Sequence, residues 1–362
     1  MSELYERARR LGHEVFAEIA ERGEPGRVNR ELVRALGEQG LLERVFEGSA
    51  IELCDLREGL AHGCTEAETA LALQGLGGYP ILRDAQSEIR ERWIPRLTTG
   101  EAIAAFALSE PEAGSDAASL ALRAEADGDG FRLTGAKTWI SNAPEADVYS
   151  VFARTSDTGA RGVTAFAVPR ESEGLKGEPL ELVAPHPVGQ LEFDGVRVGR
   201  EQVLGAVDGG FAVAMATLDL FRPSVGAFGV GMAQAALDAA VAYTAQREAF
   251  GKPLSHFQAV SHQLADVATQ VEAARLLVRE AAIQHDAGVR PVRKASAMAK
   301  LFATETAQRA VDVAIQVHGA RALEKGHLLE HLYREVRAPR IYEGASEVQR
   351  EIIARELYKE AS

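Results

Sequence analysis

Hydrophobic and polar positions follow two different periods along this chain of 362 residues. Up to about residue 100, apolar side chains recur every three or four positions, as at Leu32, Leu36 and Leu41, which is the period of an amphipathic helix. From about residue 103 to 200, short β-rich runs lie between Gly, Pro and Asp clusters, a pattern typical of strands. From about residue 208 the helical period returns. This order predicts a mostly α-helical protein with a central β domain.

Three consecutive domains are predicted from these changes of period. We expect an N-terminal helical domain over residues 1–102, a small antiparallel β-barrel or sandwich over 103–206, and a C-terminal four-helix bundle over 207–362. The expected strands are residues 120–126, 131–140, 149–153, 162–168 and 191–198. The expected helices of the bundle are residues 211–246, 256–287, 293–318 and 346–358.

The composition is that of a globular protein, with 46% hydrophobic and 26% charged residues and a formal net charge of −13. Because the balance is acidic and the charges are intermixed, we expect no nucleic-acid partner and no anionic membrane partner. Cys54 and Cys64 form no CxxC motif, which favours free thiols in a reducing compartment. The N-terminus lacks the apolar core of a signal peptide, and the longest charge-poor run, 223–237, is too short to span a bilayer. A cytoplasmic location is therefore expected.

One carboxylate stands out near the C-terminal end, where Glu343 lies between Tyr342 and Gly344 in the segment RIYEGAS. Ser346 and Gln349 have the spacing of a capping box, which predicts that a helix starts directly after this turn. A carboxylate against apolar neighbours loses hydration, so its pKa rises and it becomes a better proton acceptor. Glu343 is therefore a candidate general base, and the same residues also fit an ordinary turn.

Two segments of the predicted β domain carry residues suited to a cofactor. In FALSEPEAGSD (106–116), Pro and Gly break regular structure and expose N–H groups and hydroxyls. Such a segment suits a phosphate or the polar edge of a heterocycle, and it equally fits a surface loop. In KTWIS (137–141), a Trp at the end of a strand is followed by a hydroxyl residue. This pair suits a planar cofactor, and it equally fits a core Trp with a strand-end Ser.

Three patterns in the C-terminal half are less specific. Arg222 is isolated in an otherwise uncharged stretch, so it needs either a structural pair with Asp219 or an anionic ligand. The segment QREAFGKPLSHFQ (246–258) is a basic helix end that suits phosphate, or simply a solvated terminus. His327 and His331 in HLLEH fit the H-x-x-E-H zinc template, which has few fixed positions and often matches by chance.

Taken together, these segments resemble the acyl-CoA dehydrogenase family. The resemblance is collinear from about residue 80 to 358 and includes FALSEPEAGSD, KTWISNA, FRPSVG, REAFGKPLSHFQ, QVHGA and RIYEGASEVQ, in the family's order and spacing. It implies helical, β and helical domains, an FAD cofactor, an acyl-CoA substrate and a homo-oligomer, either a tetramer or a dimer. It also implies an electron-transfer flavoprotein as electron acceptor.

The resemblance implies roles for individual residues. Glu343 matches the family's catalytic base, which removes the α-proton of an acyl-CoA thioester while hydride leaves the β-carbon for flavin N5, giving a trans-2-enoyl-CoA. Its backbone N–H, with a flavin ribityl hydroxyl, would bind the thioester oxygen. The positions that match cofactor contacts are Phe106, Leu108, Ser109, Ser115, Trp139, Ser141, Arg247, Phe250, Gln258, Gln316, Gly319, Ala345 and Glu347. The positions that match substrate contacts are Ser115, Phe221, Arg222, Tyr342 and Gly344.

Several positions depart from the family pattern. Ala249 and Ala345 stand where hydroxyl residues are common, and Ala320 lies in a segment that is usually glycine-rich. The first domain is short, and residues 43–46 replace a loop that usually carries Pro and Gly. These departures keep open a carrier-protein thioester as substrate, and activity as a flavin oxidase or monooxygenase. More distant alternatives are a zinc hydrolase built on the HLLEH histidines and a non-catalytic flavin-binding or scaffold protein.

Overall fold

The computed structural model describes residues 2–289 and 292–361, and its first region is helical, as the hydrophobic period predicts. The helices of this region are α1 (Glu3–Leu11), α2 (Ala17–Glu21), α3 (Arg30–Glu38), α4 (Leu41–Glu47), α5 (Ala50–Gly63), α6 (Thr65–Asp84) and α7 (Ser87–Thr98). A π-helical turn, Gly12–Phe16, joins α1 to α2. Residues 43–46, which replace the family's usual loop, are part of α4 and therefore helical.

The middle region is one mixed sheet with more strands than the sequence predicts. Its strands are β1 (Ala104–Ala107), β2 (Arg123–Asp127), β3 (Gly130–Ser141), β4 (Val148–Arg154), β5 (Val163–Pro169), β6 (Leu175–Leu180), β7 (Val188–Val198) and β8 (Val203–Leu204). The order is β6-β7-β3-β2-β4-β5-β8, and β1 pairs with β4. All five predicted strands are present, whereas β1, β6 and β8 were not predicted. The expectation of a purely antiparallel sheet is wrong, because β1 and β2 both pair with β4 in parallel.

The last region contains four long helices at the predicted positions and one short helix that was not predicted. They are α8 (Gly210–Gln246), α9 (Gln258–Asp286), α10 (Arg293–His318), α11 (Leu328–Glu335) and α12 (Ser346–Glu360). A small hairpin of β9 (Glu248–Ala249) and β10 (Lys252–Pro253) lies between α8 and α9. The charge-poor run 223–237 lies inside α8, which matches the predicted helix over residues 211–246. By length and composition α8 could cross a membrane, and 72% of its most apolar window is buried inside the protein.

The chain folds into two compact units, and neither is continuous in sequence. Unit 1 consists of the residues up to Val15, the segment Ser49–Glu68 and the residues from Asp219 onward. Unit 2 consists of Phe16–Gly48 and Thr69–Leu218. The predicted base therefore lies in unit 1, whereas the two candidate cofactor segments of the β domain lie in unit 2.

Each unit has its own packed interior. The core of unit 2 includes Trp93 and Leu97 of α7 and Phe152 of β4, which are at most 2% exposed. In unit 1, α10 packs against α9 and α12, and α1 packs against α5. Gly59 permits the contact between α1 and α5, because an added Cβ would lie 2.5 Å from the carbonyl oxygen of Tyr5.

A single buried amide in unit 2 anchors β1, the strand that carries Phe106. The Nε2 of Gln74 donates to the carbonyl oxygens of Leu97 and Ala102 at 2.9 and 2.6 Å. The Oε1 of the same side chain accepts from the N–H of Ala104 at 3.0 Å. Gln74 is fully buried, so one side chain of α6 satisfies three backbone groups at the start of the sheet.

We expect Gly77→Ala to destabilise the protein. An added Cβ at Gly77 in α6 would lie 2.5 Å from the backbone nitrogen of Ala105, and a strand backbone cannot move aside as a flexible side chain can. Overpacking costs up to about 3 kcal/mol, against a gain of about 1 kcal/mol from replacing a helical glycine. Thermal unfolding should show a Tm lower by about 2–6 °C.

The control for this substitution is Gly114→Ala, where an added Cβ would meet nothing within 4 Å. Its Tm should match that of the unaltered protein. A Gly77→Ala protein as stable as this control would contradict the close approach of α6 to β1.

Candidate functional site

Glu343 lies in a tight turn that enters α12. The backbone φ is 51° at Glu343 and 92° at Gly344. A left-handed φ is unfavourable for a residue with a Cβ, so this conformation persists only where the surroundings hold it. Gly344 is required at its position, because a Cβ there would clash with the Nε2 of Gln349. The predicted place of Glu343, directly before a helix, is confirmed.

Two buried side chains hold the turn through its carbonyl groups. The Nζ of Lys300 in α10 donates to the carbonyl oxygen of Gly344 at 2.7 Å. The Nε2 of Gln349 in α12 donates to the same oxygen at 2.8 Å and to the carbonyl oxygen of Glu343 at 3.3 Å. Lys300 and Gln349 are both fully buried, so these donors are shielded from competing water.

The predicted capping box of Ser346 and Gln349 does not form. The N-cap of α12 is Ala345, and Ser346 is the first helical residue, so the helix begins one residue earlier than the motif requires. The hydroxyl of Ser346 donates instead to Glu305 Oε1 at 2.7 Å. Gln349 faces the carbonyl groups of the turn rather than an N–H group, so its role is to fix the turn and not to cap the helix.

The carboxylate of Glu343 is dehydrated and has a free oxygen. Among residues 2–289 and 292–361, no hydrogen-bond partner contacts its buried Oε2. Burial raises the pKa of Glu343, and the charges of Arg57, Lys300 and Arg222 oppose this rise. A carboxylate with a free lone pair, kept ionised by nearby cations, is suited to accept a proton.

Arg222 makes the structural pair that its sequence allowed, and its role toward an anionic ligand stays a prediction. Its Nη1 donates to Asp219 Oδ1 at 3.1 Å, which is the structural pair. Its charge also acts on Glu343, and burial lowers the pKa of Arg222. The Nε of this side chain has no partner within the described part of the chain, and the side chain is almost fully buried. The adjacent Phe221 is buried as well, on the same helix.

A buried ion pair beside the base was missed by the sequence analysis. Arg57 of α5 donates through Nε to Glu68 of α6 and through Nη1 to Ser224 Oγ at 2.7 Å. Arg57 and Glu68 are 3% and 1% exposed. The charge of Arg57 is the leading influence that lowers the pKa of Glu343. The sequence of α5 gave no clear signal, because Arg57 stands among other charged residues and only the structure shows that this part of the helix is buried.

The cofactor candidates in unit 2 come together around an exposed aromatic ring. Trp139 is 54% exposed and has a φ of 54°, at an irregularity in the pairing of β3 with β7. The N–H of Thr138 donates to the carbonyl oxygen of Ser109 at 3.1 Å, which joins the segments FALSEPEAGSD and KTWIS. Ser141 ends β3 and is partly exposed. The interpretation of Trp139 as a core residue is therefore wrong.

The other candidates of the first loop differ in exposure. Leu108 is buried, and Phe106 is half-buried with its ring centroid 4.8 Å from that of Phe152. Ser115 is fully open to solvent near the end of the loop. The exposed flat ring of Trp139 fits an isoalloxazine ring. The nearby hydroxyl groups and the strained strand end fit a phosphate-bearing tail.

A second buried ion pair, between Lys137 and Glu110, holds the segment FALSEPEAGSD (106–116) in place. The Nζ of Lys137 donates to Leu108 O at 2.9 Å and to Glu110 Oε1 at 2.7 Å. The carboxylate of Glu110 also accepts from the N–H groups of Ala121 and Leu122. Lys137 is fully buried, and burial lowers its pKa to about 8 although Glu110 opposes the change.

The remaining candidates of unit 1 are exposed or half-buried, and two of them, Tyr342 and Ala345, lie in the same turn as Glu343. Phe250 is 95% exposed with a φ of 54°, at the tip of the β9–β10 hairpin. Tyr342 is 37% exposed beside the base. Ala345 is half-buried, and the exposed candidates are Arg247, Gln258, Gln316, Gly319 and Glu347.

The histidines of HLLEH do not form a zinc site in the structure. His327 is the N-cap of α11, and its Nδ1 accepts from the N–H of Leu329 at 3.1 Å. The Nε2 of His331 lies 2.6 Å from the Oγ1 of Thr65. In the described ranges, no group of three or more His, Cys, Asp or Glu side chains could hold a metal ion. The two rings therefore have separate structural partners.

Sequence models of three domains match this chain, and all three belong to acyl-CoA dehydrogenases. The N-terminal domain matches residues 2–101, the middle domain 105–196 and the C-terminal domain 208–358. The chain is 35% identical over 348 residues to the cyclohexane-1-carbonyl-CoA dehydrogenase of Geobacter metallireducens, covering 93% of this chain and 91% of that protein.

Solved structures have the same fold. Butyryl-CoA dehydrogenase from Megasphaera elsdenii aligns with a TM-score of 0.92 and 31% identity, covering 99% of each chain. An FAD complex of PigA aligns with a TM-score of 0.92 and 28% identity, covering 99% of this chain and 98% of that one. The predicted architecture of helical, β and helical domains is thereby confirmed.

We expect Lys137→Met to destabilise the protein by about 3–5 kcal/mol, because it leaves the carboxylate of Glu110 buried without its cation. The double variant Lys137→Met/Glu110→Gln should lose less than the sum of the two single variants. Denaturant unfolding measures both, and Lys176→Met on the exposed face of β6 is the control. Additive losses would show that the two side chains are not coupled.

The same pair predicts a pH dependence of stability. Because the pKa of Lys137 falls from 10.5 to about 8 on folding, the unfolded chain binds more protons between these values. Stability relative to Lys137→Met should therefore rise as pH increases from 8 towards 10. A constant difference across this range would contradict the burial of the ammonium group.

Proposed function

The chain belongs to the acyl-CoA dehydrogenase family, and we propose that Glu343 is the base of its reaction. The family is FAD-dependent and dehydrogenates acyl-CoA thioesters, so the protein is an oxidoreductase that acts on CH–CH groups. One observation supports the assignment above all others: the buried Oε2 of Glu343 has no partner in the described residues, while three cations surround the carboxylate.

Glu343 removes the α-proton of the acyl group in this proposal. Burial makes the carboxylate a stronger base, and the charges of Arg57, Lys300 and Arg222 keep it ionised until substrate arrives. The backbone N–H of Glu343 binds the thioester oxygen, which stabilises the negative charge that develops as the proton leaves. Bound FAD supplies the hydride acceptor for the β-carbon, and the product is a trans-2-enoyl-CoA.

We assign FAD binding to Phe106, Leu108, Ser109, Ser115, Trp139 and Ser141 in unit 2, and to Arg247, Phe250, Gln258, Gln316, Gly319, Ala345 and Glu347 in unit 1. The tip of the β9–β10 hairpin carries an almost fully exposed aromatic ring beside basic side chains, which favours contact with the cofactor of a second subunit. We therefore propose a homo-oligomer. From the family resemblance we also propose an electron-transfer flavoprotein as electron acceptor, and from the composition we propose a cytoplasmic location.

We assign substrate contacts to Ser115, Phe221, Arg222, Tyr342 and Gly344. A compact acyl group is favoured over a long alkyl chain. The relatives described above act, by their names, on cyclohexane-1-carbonyl-CoA and butyryl-CoA, which carry small acyl groups. The charge of Arg57, paired with Glu68, reaches both Tyr342 and Glu343, and a charged neighbour is a poor contact for a long apolar chain.

The function is tested by adding saturated acyl-CoAs to the FAD-containing protein under oxygen-free conditions. Bleaching of the flavin absorbance by butyryl-CoA or cyclohexane-1-carbonyl-CoA, faster than by a long-chain acyl-CoA, is the expected result. A flavin that no acyl-CoA bleaches would overturn the assignment. Bleaching by carrier-protein thioesters alone, or peroxide formation in air, would indicate the related carrier-dependent or oxidase activities instead.

Glu343→Gln should keep FAD and lose bleaching, with turnover lower by about 10²–10⁴-fold, the usual contribution of a general base. Glu351→Gln, on the exposed face of α12, is the matched control and should retain turnover. Turnover of Glu343→Gln within about tenfold of the unaltered protein would show that another group removes the proton.

Arg247→Ala should weaken FAD retention. If the guanidinium contacts a cofactor phosphate, its loss removes a charge-assisted hydrogen bond of about 1.5–3 kcal/mol, which is about 10–100-fold in the dissociation constant. Titration of the apoprotein with FAD by fluorescence quenching measures this directly. Arg161→Ala, at an exposed position of unit 2, is the control. Equal affinity in both variants would remove Arg247 from the cofactor site.

A further inference from the structure

We propose that Lys300 is the counter-ion of Glu343 and, with Gln349, a positioning residue that fixes the turn from which the base acts. This inference rests on the proposed role of Glu343. It goes beyond that role by naming a group that acts on both the charge and the backbone conformation of the base.

The first argument is the pairing of charges around Glu343. Arg57 donates to Glu68, and Arg222 donates to Asp219, so each arginine has a carboxylate of its own. Lys300 makes no such direct pair among residues 2–289 and 292–361, and Glu343 is the carboxylate whose charge acts on it most strongly.

The hydrogen bond of the Lys300 ammonium goes to the uncharged carbonyl of Gly344. Lys300 is fully buried, and an ammonium group buried without compensating charge is very costly. The ionised carboxylate of Glu343, one residue before that carbonyl, supplies the compensation.

The second argument is the geometry of the turn. The φ values of 51° at Glu343 and 92° at Gly344 are held by two donors that converge on one carbonyl oxygen, Lys300 Nζ at 2.7 Å and Gln349 Nε2 at 2.8 Å. A carbonyl oxygen has two lone pairs, so both donors are satisfied at once. The peptide between Gly344 and Ala345 is therefore fixed on its oxygen side by both donors. The bond of 3.3 Å from Gln349 Nε2 to Glu343 O also holds the preceding peptide, which adjoins the Cα of the proposed base.

The electrostatic influences on the two groups agree with this arrangement. The cations that face Glu343 come from three helices, Arg57 on α5, Arg222 on α8 and Lys300 on α10. Burial lowers the pKa of Lys300 to about 8, and Glu343 is the leading influence that opposes this change. The other charges that act on Lys300 are Arg222, Glu305 and Glu347. Removing the Lys300 charge therefore raises the pKa of Glu343.

The test is an infrared titration of Glu343 in the FAD-containing protein. The C=O band of the protonated carboxyl is isolated by subtracting the spectrum of a matched Glu343→Gln variant in each background. With Lys300→Met, the midpoint should move up by about one pH unit or more, because a nearby positive charge is lost. Lys300→Gln should give the same shift while keeping a donor for Gly344 O, and it protects the test if the Met variant fails to fold.

Lys294→Met, the same substitution on the same helix, is the control. Lys294 pairs with Glu360 and should leave the midpoint unchanged. A midpoint that is equal in Lys300→Met, Lys300→Gln and the unaltered protein would overturn the counter-ion role.

The pH dependence of kcat distinguishes an effect of the Lys300 charge from a merely structural effect of that side chain. The acid limb of the kcat profile should move with the infrared midpoint, so Lys300→Met recovers activity when pH is raised. A kcat that is reduced equally at every pH would contradict the proposal. The midpoint of the infrared titration of Glu343 reports the effect of the Lys300 charge even if Glu343→Gln retains turnover. Failure of the proposed base and failure of the counter-ion role are therefore distinguishable.

Discussion

The burial of one carboxylate without a hydrogen bond is the constraint that organises unit 1. An isolated buried carboxylate takes up a proton, because desolvation disfavours its charged form. At Glu343 burial raises the pKa and the charges of Arg57, Lys300 and Arg222 oppose that rise, while its Oε2 has no partner in the described parts of the chain. The three cations thus compensate the charge of Glu343, and the lone pair of its Oε2 stays free for the proposed proton transfer.

Unit 2 uses a similar device to hold a different strained segment. Lys137, like Lys300, is a fully buried lysine that donates to a backbone carbonyl near a residue with positive φ. That residue is Trp139, whose φ of 54° turns its ring outward at the end of β3. Strained conformations persist only when their surroundings determine them fully. A buried ammonium can hold such a conformation, because leaving its hydrogen bonds unmade would cost more free energy than the backbone strain.

Periodicity predicted most of the fold, and a resemblance supplied the proposed base, because both depend on neighbours in sequence. The parts that were missed depend on distant contacts. Residues 104–107, AAFA, lack the β-branched side chains typical of strands, and they form β1 because Gln74 anchors its first N–H and β4 pairs with it. Arg57 and Ser224 are 167 positions apart, so no local pattern could join them. The capping box failed because Glu305 of α10 competes for the hydroxyl of Ser346.

The arrangement also has a consequence for the direction of proton flow. Burial lowers the pKa values of Arg222 and Lys300, and the charge of Glu343 opposes both changes, after that of Asp219 in the case of Arg222. In the proposed reaction Glu343 becomes neutral when it takes up the α-proton, and Arg222 and Lys300 lose the part of their compensation that its charge supplied. The buried cations therefore favour the return of the proposed base to its ionised form.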